Sequence, residues 1–135
     1  MARPVSHCAL RTGVLLFAMA LAGLPVLAEP AFDGEWTASY TSGGGNAREA
    51  DVRIAGREGT WALRARPGKD KKDPCVGRPF PLVLSDGGPG AAVLRVEASA
   101  TVSGCDDRRL NLKVVDAKTL AGEFSNGTAV TLTRR

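Results

Sequence analysis

The residues that could carry chemistry are few in this sequence, and their types exclude several mechanisms. The only histidine is His7, which lies in a segment with the features of an export leader. A chain without that leader has no imidazole. This excludes Ser-His-Asp and Cys-His nucleophile systems and removes the commonest zinc and copper ligand. The groups that remain for catalysis are carboxylates, lysines, hydroxyls and one tyrosine.

The carboxylates offer one candidate set for general acid and base chemistry. Asp106 and Asp107 are adjacent, and a disulfide between Cys75 and Cys105 would bring Asp73 to the same end of the molecule. Glycosidase chemistry needs two carboxyl groups at a defined separation in a cleft, and adjacent carboxylates usually point apart. We therefore predict that the protein is not an enzyme, and we expect no catalytic residue, no cofactor and no metal site.

Residues 1–28 have the composition of a secretory signal peptide. Arg3 and Arg11 precede an uncharged run from 14 to 24, and Val26-Leu27-Ala28 ends the segment with small residues at its first and last positions. The uncharged run is shorter than the ~20 residues that a membrane-spanning helix requires. We expect cleavage before Glu29, a periplasmic or secreted location, and a mature chain that does not span the membrane.

Two cysteines remain after the expected cleavage, because Cys8 lies within the leader. Exported proteins meet an oxidising environment in which disulfides persist, and an even pair in a short chain is most simply one bridge. We predict a disulfide between Cys75 and Cys105. In the chain-entropy account, closing a loop of ~30 residues contributes roughly 3–4 kcal/mol of stability.

The sequence predicts that β-strands and the turns between them carry the candidate carboxylates, lysines and cysteines. From Glu29 onward, apolar and polar residues alternate with a period of two nearly everywhere, and turns, most of them with Gly or Asn, separate the alternating segments. This pattern is typical of antiparallel strands with one buried face. We predict an all-β domain over residues 29–135, a small up-and-down barrel or sandwich of about eight strands. The predicted strands lie near residues 36–40, 50–55, 61–65, 80–85, 94–97, 110–114, 120–124 and 130–133.

Gly34-Glu35-Trp36, near the start of the expected mature chain, resembles the opening of lipocalin-like (calycin) barrels. Those barrels begin their first strand with Gly-x-Trp and pack an arginine from the last strand across the indole. The resemblance implies that Trp36 is the indole, that Arg134 or Arg135 is the arginine, and that the barrel is a ligand-binding cup. The chain departs from the family in its short length, its central disulfide and the lack of a C-terminal helix.

Four aromatic residues are candidates to line a small apolar cavity inside the barrel. The alternative is that they are core residues, since a small barrel of about eight strands usually fills its interior with side chains. We favour the core interpretation. The four residues are Trp36, Tyr40, Trp61 and Phe80.

Basic residues cluster in the segment that leads into Cys75 and in the segment that follows Cys105. The predicted disulfide would bring both to one end of the barrel, where they could dock on an anionic envelope component or an acidic protein. The loop has no aromatic residues for base stacking, so we expect no nucleic acid partner. The alternative is a solvated loop. We define the basic rim as Arg64, Arg66, Lys69, Lys71, Lys72, Arg78, Arg108 and Arg109.

The overall charge adds little to this argument. The formal net charge is +4, and removal of the two leader arginines leaves +2. We expect a monomeric binding module for an envelope polymer, a protein or a small apolar ligand. An inhibitor of a cell-wall hydrolase or protease, acting through the loop 66–78, is the alternative.

Overall fold

The computed structural model describes Ala2, Pro4 and residues 31–135. The rest of the predicted signal peptide and its cleavage site lie outside the described residues. Within the described part, no helix is long and apolar enough to cross a bilayer. The elements are β1 (Gly34–Thr41), β2 (Ala47–Ala55), β3 (Glu58–Leu63), β4 (Phe80–Asp86), β5 (Ala91–Val96), a 3-10 turn (Ala98–Ala100), β6 (Arg108–Asp116), β7 (Thr119–Phe124) and β8 (Ala129–Arg134).

The eight strands form one closed antiparallel barrel in sequence order. Each strand pairs with the next along the chain, and β8 closes the barrel by pairing with β1, with Ala38 opposite Leu132. The all-β prediction is confirmed, and the barrel rather than the sandwich is the observed architecture. Closure leaves no edge strand in the sheet, so every strand has a hydrogen-bonded neighbour on both sides.

Because successive side chains of a strand point to opposite faces, every second side chain points into the barrel. The inward residues are almost all apolar, and the interior is filled by side chains rather than by an open cup. Trp36, Ala38, Ala50, Val52, Leu94, Leu110, Leu120 and Leu132 have no solvent exposure.

Two inward positions are glycines because the neighbouring strand approaches too closely for a side chain. A Cβ atom at Gly59 would overlap the carbonyl oxygen of Arg53, and a Cβ atom at Gly122 would overlap that of Asn111. Glycine kinks of this kind let a sheet bend sharply enough to close. They lie on β3 and β7, opposite β2 and β6 respectively.

The meander places its connections at two ends, which differ in loop length. We call the first the turn end: residues 31–33, 56–57, 87–90, 117–118 and Arg135. We call the second the disulfide end: residues 42–49, 64–79, 97–109 and 125–128, which include the first or last residues of some adjoining strands. The long β3–β4 and β5–β6 connections both lie at the disulfide end, so the barrel's irregular structure is concentrated there.

The predicted disulfide is present, and it links those two long connections. Cys75 and Cys105 are bonded with a Cα–Cα distance of 5.6 Å. Cys105 is buried and belongs to the core, while Cys75 packs against it from the β3–β4 loop. The bridge therefore fixes both loops over the same end of the barrel.

Candidate functional site at the disulfide end

The net charge of the described barrel lies at the disulfide end. Nine lysines and arginines and six carboxylates fall in the ranges that define that end, a net charge of +3. The rest of residues 31–135 carries seven basic and seven acidic residues, so it is balanced. An excess of one sign on a single face attracts ions of the opposite sign.

The basic rim divides into residues with and without an ion pair. The Nη atoms of Arg64 lie 2.6 Å from Asp51 and 2.7 Å from Glu49. Arg66 Nη2 lies 2.8 Å from Asp70 Oδ1. The other six rim residues make no ion pair within the described ranges, and all but Arg108 are exposed. They are Lys69, Lys71, Lys72, Arg78, Arg108 and Arg109.

Arg64 holds the loop against the barrel wall rather than presenting its charge to a partner. Its hydrogen bonds are the main cause that lowers the pKa of the Asp51 carboxyl on β2. Arg135 adds a second cation 3.4 Å from the same carboxylate. Arg64 therefore belongs to a network on the barrel wall, and the accessible charges of the rim are Lys69, Lys71, Lys72, Arg78 and Arg109.

The four candidate cavity residues lie on inward faces in the packed interior. Trp36 is fully buried, and Trp61, Phe80 and Tyr40 retain at most 9% of their exposure. Tyr40 and Trp61 pack edge-on against Phe124, at ring-centroid distances of 4.8 Å and 6.1 Å. Trp36 lies at the turn end, and the other three form a layer beneath the disulfide end.

Arg48 is a further charged residue in this layer, and the sequence analysis did not single it out. It lies on β2 directly opposite Tyr40, in the inward register that Ala50, Val52 and Ile54 continue. Its side chain is only 13% exposed. Its Nε and Nη2 atoms are buried and have no hydrogen-bond partner among the described residues.

The carboxylate closest to Arg48 is already engaged by another guanidinium. Asp70 Oδ2 lies 3.6 Å from Arg48 Nη2, beyond hydrogen-bonding distance. Arg66 binds both oxygens of Asp70, with Nε at 2.9 Å and Nη2 at 2.8 Å, and its backbone N–H donates a third bond. These bonds hold the pKa of Asp70 well below its usual range. One carboxylate therefore faces two guanidinium groups.

Two cavities meet at Arg48. The first, about 230 Å³, is lined by Tyr40 and Phe124 among others. The second, about 220 Å³, reaches Trp61, Phe80 and the disulfide. Both cavities are lined by Arg48, Leu63 and Arg108, so these three residues are common to the two sites. We call these three residues and the two cavities the arginine mouth.

Arg108 connects the arginine mouth to the outer wall. Its guanidinium lies 5.6 Å from the centroid of the Phe124 ring, in cation–π contact. It also lines an outer groove of about 430 Å³ with Arg95 and Arg109, a groove that Glu97 and Asp107 line as well. Arg95 and Arg109 are directly opposite one another on β5 and β6, a cross-strand pair of like charges that is destabilising.

Two of the candidate acidic residues, Asp73 and Asp107, cap loops, and Asp106 lines the second cavity together with Asp73. Asp107 accepts hydrogen bonds from the backbone N–H and the hydroxyl of Ser99, both at 2.9 Å. These bonds lower the pKa of Asp107. Asp73 accepts from the backbone N–H of Cys75 at 2.9 Å. In the described part of the chain, no group of three or more His, Cys, Asp or Glu side chains is placed to hold a metal ion.

Sequence reasoning missed Arg48, Leu63 and Phe124 as parts of one site. The signal for Arg48 was available, because it continues the inward alternation of β2 by one more step. A charged residue at an inward register is unusual, since buried charges need partners. Leu63 and Phe124 did not stand out in the sequence, because almost every inward position of this barrel is apolar.

At the turn end, the arginine of the Gly-x-Trp resemblance is Arg134. Its guanidinium lies 4.2 Å from the centroid of the Trp36 ring. It donates to the carbonyl oxygens of Asp33 at 2.6 Å and Ala117 at 3.0 Å. The Trp36 indole N–H donates to the carbonyl of Phe32 at 2.9 Å. These bonds tie the segment before β1 across that end of the barrel.

No protein-family model matches the chain, and no curated protein matches it. Among solved structures, the chain is similar to a redesigned beta barrel at 14% sequence identity. The alignment covers 78% of this chain and 92% of that chain, with a TM-score of 0.46.

Proposed function

We propose that the protein is an exported, non-enzymatic, monomeric binding module that docks on an anionic polymer of the cell envelope. The observation that carries the proposal is the charge distribution. The disulfide end holds the whole net charge of +3, and the rest of the described chain is balanced. A field concentrated on one face steers a polyanion to that face.

The geometry of the rim supports docking by a preorganised surface. Lys69, Lys71 and Lys72 are exposed on the β3–β4 loop. That loop is fixed by the disulfide, by the Arg66–Asp70 pair and by a 2.7 Å hydrogen bond from the Gly77 N–H to the Leu63 carbonyl. A fixed loop loses little conformational freedom on binding, which favours affinity.

The outer groove offers a second contact for the same partner. Arg95 and Arg109 face each other across β5 and β6, and Arg95 is joined at 3.3 Å to Glu97. A phosphate or carboxylate group between the two guanidiniums would relieve their repulsion. The groove and the exposed lysines flank the same end of the barrel, so one polymer chain could contact both.

The test compares two triple variants of the mature protein that remove equal charge. Substitution of Lys69, Lys71 and Lys72 by glutamine should weaken binding to immobilised lipopolysaccharide by about tenfold or more at low salt. The matched control replaces Arg57, Lys113 and Lys118, exposed residues away from the disulfide end, and should retain the wild-type affinity. Wild-type binding should also fall steeply between low and moderate salt, because exposed charges are screened.

Equal losses in the two triple variants would show that net charge alone drives binding, and the proposed rim would be wrong. Tighter binding to polyglutamate than to lipopolysaccharide would favour an acidic protein as the partner. Absence of binding to either polymer at low salt would contradict the function itself.

A second candidate is an inhibitor of a cell-wall hydrolase or protease that acts through the loop 66–78. Its support is that this loop is both exposed and fixed, by the disulfide and by the 2.9 Å bond from the Cys75 N–H to Asp73. Incubation with lysozyme and with subtilisin tests it. An inhibitor should suppress one activity while the loop stays intact, and cleavage within 66–78 without inhibition would contradict the idea.

The lipocalin-like relationship is a separate proposal. Its support is the contact of Arg134 with Trp36 at the turn end, where the resemblance places it. The filled interior does not favour the family's open cup with a small apolar ligand inside. Any ligand of this barrel is therefore better sought at the disulfide end than along the barrel axis.

A further inference from the structure

We propose that the arginine mouth binds a small organic carboxylate with an aromatic or short aliphatic body. This site is distinct from the exposed lysines of the rim and does not depend on polymer docking. The ligand's carboxylate would lie between the guanidiniums of Arg48 and Arg108. Its apolar body would occupy the first cavity, which has no carboxylate among its lining residues.

Arg48 has an unsatisfied guanidinium group. Its side chain is 13% exposed, and Nε and Nη2 lack hydrogen-bond partners within residues 31–135. Buried polar groups are otherwise hydrogen-bonded in folded proteins, and each exception needs an explanation. Nε and Nη2 lie on one edge of the guanidinium, the fork that matches the two oxygens of a carboxylate.

The second observation is the balance of charge around Arg48. Asp70 is the one carboxylate within ion-pair distance of Arg48 in the described structure, and Arg66 already binds both of its oxygens. Arg108 brings a further positive charge to the wall of both cavities. The first cavity has both arginines and no carboxylate among its lining residues, whereas Asp73 and Asp106 line the second, so the first cavity has room for an anionic group.

The third observation is that the cavity walls combine apolar and polar side chains. Tyr40, Leu63 and Phe124 provide apolar surface in the first cavity, beside the polar side chains of Ser42, Asn126 and Thr128. Trp61 and Phe80 provide it in the second, beside the carboxylates of Asp73 and Asp106. A volume of about 230 Å³ corresponds to roughly eight water molecules. This suits a compact body such as a benzene ring better than a long acyl chain. A carboxylate on an apolar body fits both the charge and the walls.

The experiment is a titration of ¹⁵N-labelled protein with benzoate, and with benzamide as a neutral analogue of the same shape. Benzoate should shift the amide signals of Arg48, Leu63, Arg108 and their neighbours in a saturable way. Benzamide should leave those signals unchanged. If binding rests on charge-assisted hydrogen bonds to the fork, Arg48→Gln should weaken benzoate binding by about tenfold or more, and Arg108→Gln should also weaken it.

The matched control is Arg53→Gln. Arg53 lies on the same strand as Arg48 but on the outer face, where its side chain is 71% exposed and pairs with Glu35. This variant should bind benzoate with the wild-type affinity. The Lys69, Lys71 and Lys72 triple variant should also retain benzoate binding, so failure of the rim and failure of the mouth are distinguishable.

Asp70→Asn gives an independent readout if Arg48→Gln does not fold. Asp70 competes with the ligand for Arg48, so its neutralisation should tighten benzoate binding. If Asp70 serves only to fix the loop, the same variant should weaken binding or leave it unchanged. The proposal is wrong if benzamide shifts the same amides as benzoate, or if Arg48→Gln keeps the wild-type affinity. It is equally wrong if about 10 mM benzoate produces no shift at the mouth, because such weak binding is not a specific site.

Discussion

The two ends of the barrel each hold an inward-facing arginine opposite an aromatic residue of β1, and the two arginines differ in their partners. Arg134 is opposite Trp36 and Arg48 is opposite Tyr40. Arg134 donates hydrogen bonds to three backbone carbonyls and stacks on its indole. Arg48 has buried nitrogens without partners and a carboxylate 3.6 Å away.

One end of the barrel is built for stability, and the other has capacity for a ligand. The turn end has short connections and a satisfied arginine, and the described chain outside the disulfide end has no net charge. The disulfide end has long connections, a net positive charge and an unsatisfied arginine beside two cavities. Real proteins depart from full satisfaction of their buried groups mainly at functional sites, and such sites are concentrated on loops held by a rigid scaffold.

The largest expected effect is at the turn end. Trp36→Ala should lower the free energy of unfolding by about 3–5 kcal/mol, because it empties a fully buried site and removes the surface on which Arg134 stacks. Urea unfolding followed by circular dichroism measures the change. The control is Val115→Ala at a residue 60% exposed, which should stay within about 0.5 kcal/mol of wild type. A comparable loss in both variants would contradict the packing argument.

The next effect belongs to the disulfide end. Replacement of Cys75 and Cys105 by alanine should lower the free energy of unfolding by roughly 3–4 kcal/mol, because the bridge closes a loop of about 30 residues. Hydrogen exchange should quicken in 64–79 and 97–107 and remain unchanged in 87–90 and 117–118. An even increase at both ends would mean that the two ends do not open independently.

A smaller effect tests the comparison of the arginines directly. Arg134→Met should cost about 1.5–3 kcal/mol, because it removes charge-assisted hydrogen bonds and leaves carbonyls unpaired. Arg48→Met should stay within about 1 kcal/mol of wild type or be more stable, because a buried, poorly paired charge is replaced by an apolar chain. Asp70 keeps Arg66 as its partner in that variant. Paired urea titrations measure both changes, and a larger loss for Arg48→Met would show that this arginine is structural.

The fold was accessible from the sequence because each of its signals is local. Alternation along single segments predicted the strands, and the glycine-rich separators predicted the hairpins. The position of each cysteine just before a strand placed both at one end, and the observed Cα–Cα distance of 5.6 Å agrees. Closure was not accessible in this way. It depends on the pairing of β1 with β8 and on close strand approach at Gly59 and Gly122, which only the folded chain displays.

The site was only partly accessible for a related reason. The residue types in the sequence were enough to predict the basic rim. They did not show which of its charges are neutralised by ion pairs. Arg64 and Arg66 pair with carboxylates from β2 and from their own loop. The arginine mouth depends on side chains from several strands and loops, which converge only through barrel closure. Arg48 alone carried a sequence signal, as a charge in the inward register of β2.

The smallest effect is a change in the pH dependence of stability. It should differ between the two ends, because the arginines at the two ends have different kinds of partner. Hydrogen bonds from Arg66, with the charge of Arg48 nearby, hold the pKa of Asp70 below its unfolded value of about 3.9. A carboxyl with a lowered folded-state pKa stabilises the protein above the unfolded value, and this contribution is lost as the pH falls through the folded one. Wild-type stability should therefore decline below about pH 5, and Asp70→Asn should show a flatter decline with a lower plateau at neutral pH.

Arg66→Gln should flatten the same acid limb, and the double variant should add little, because both changes remove one interaction. Arg134 bonds to carbonyl oxygens, which do not titrate. The loss caused by Arg134→Met should accordingly be the same at acidic and neutral pH. Thermal unfolding of these variants between about pH 2.5 and 7 provides the measurement. If the stability loss caused by Arg134→Met also becomes smaller in acid, titrating groups stabilise both ends of the barrel. The proposed difference in pH dependence between the two ends would then be wrong.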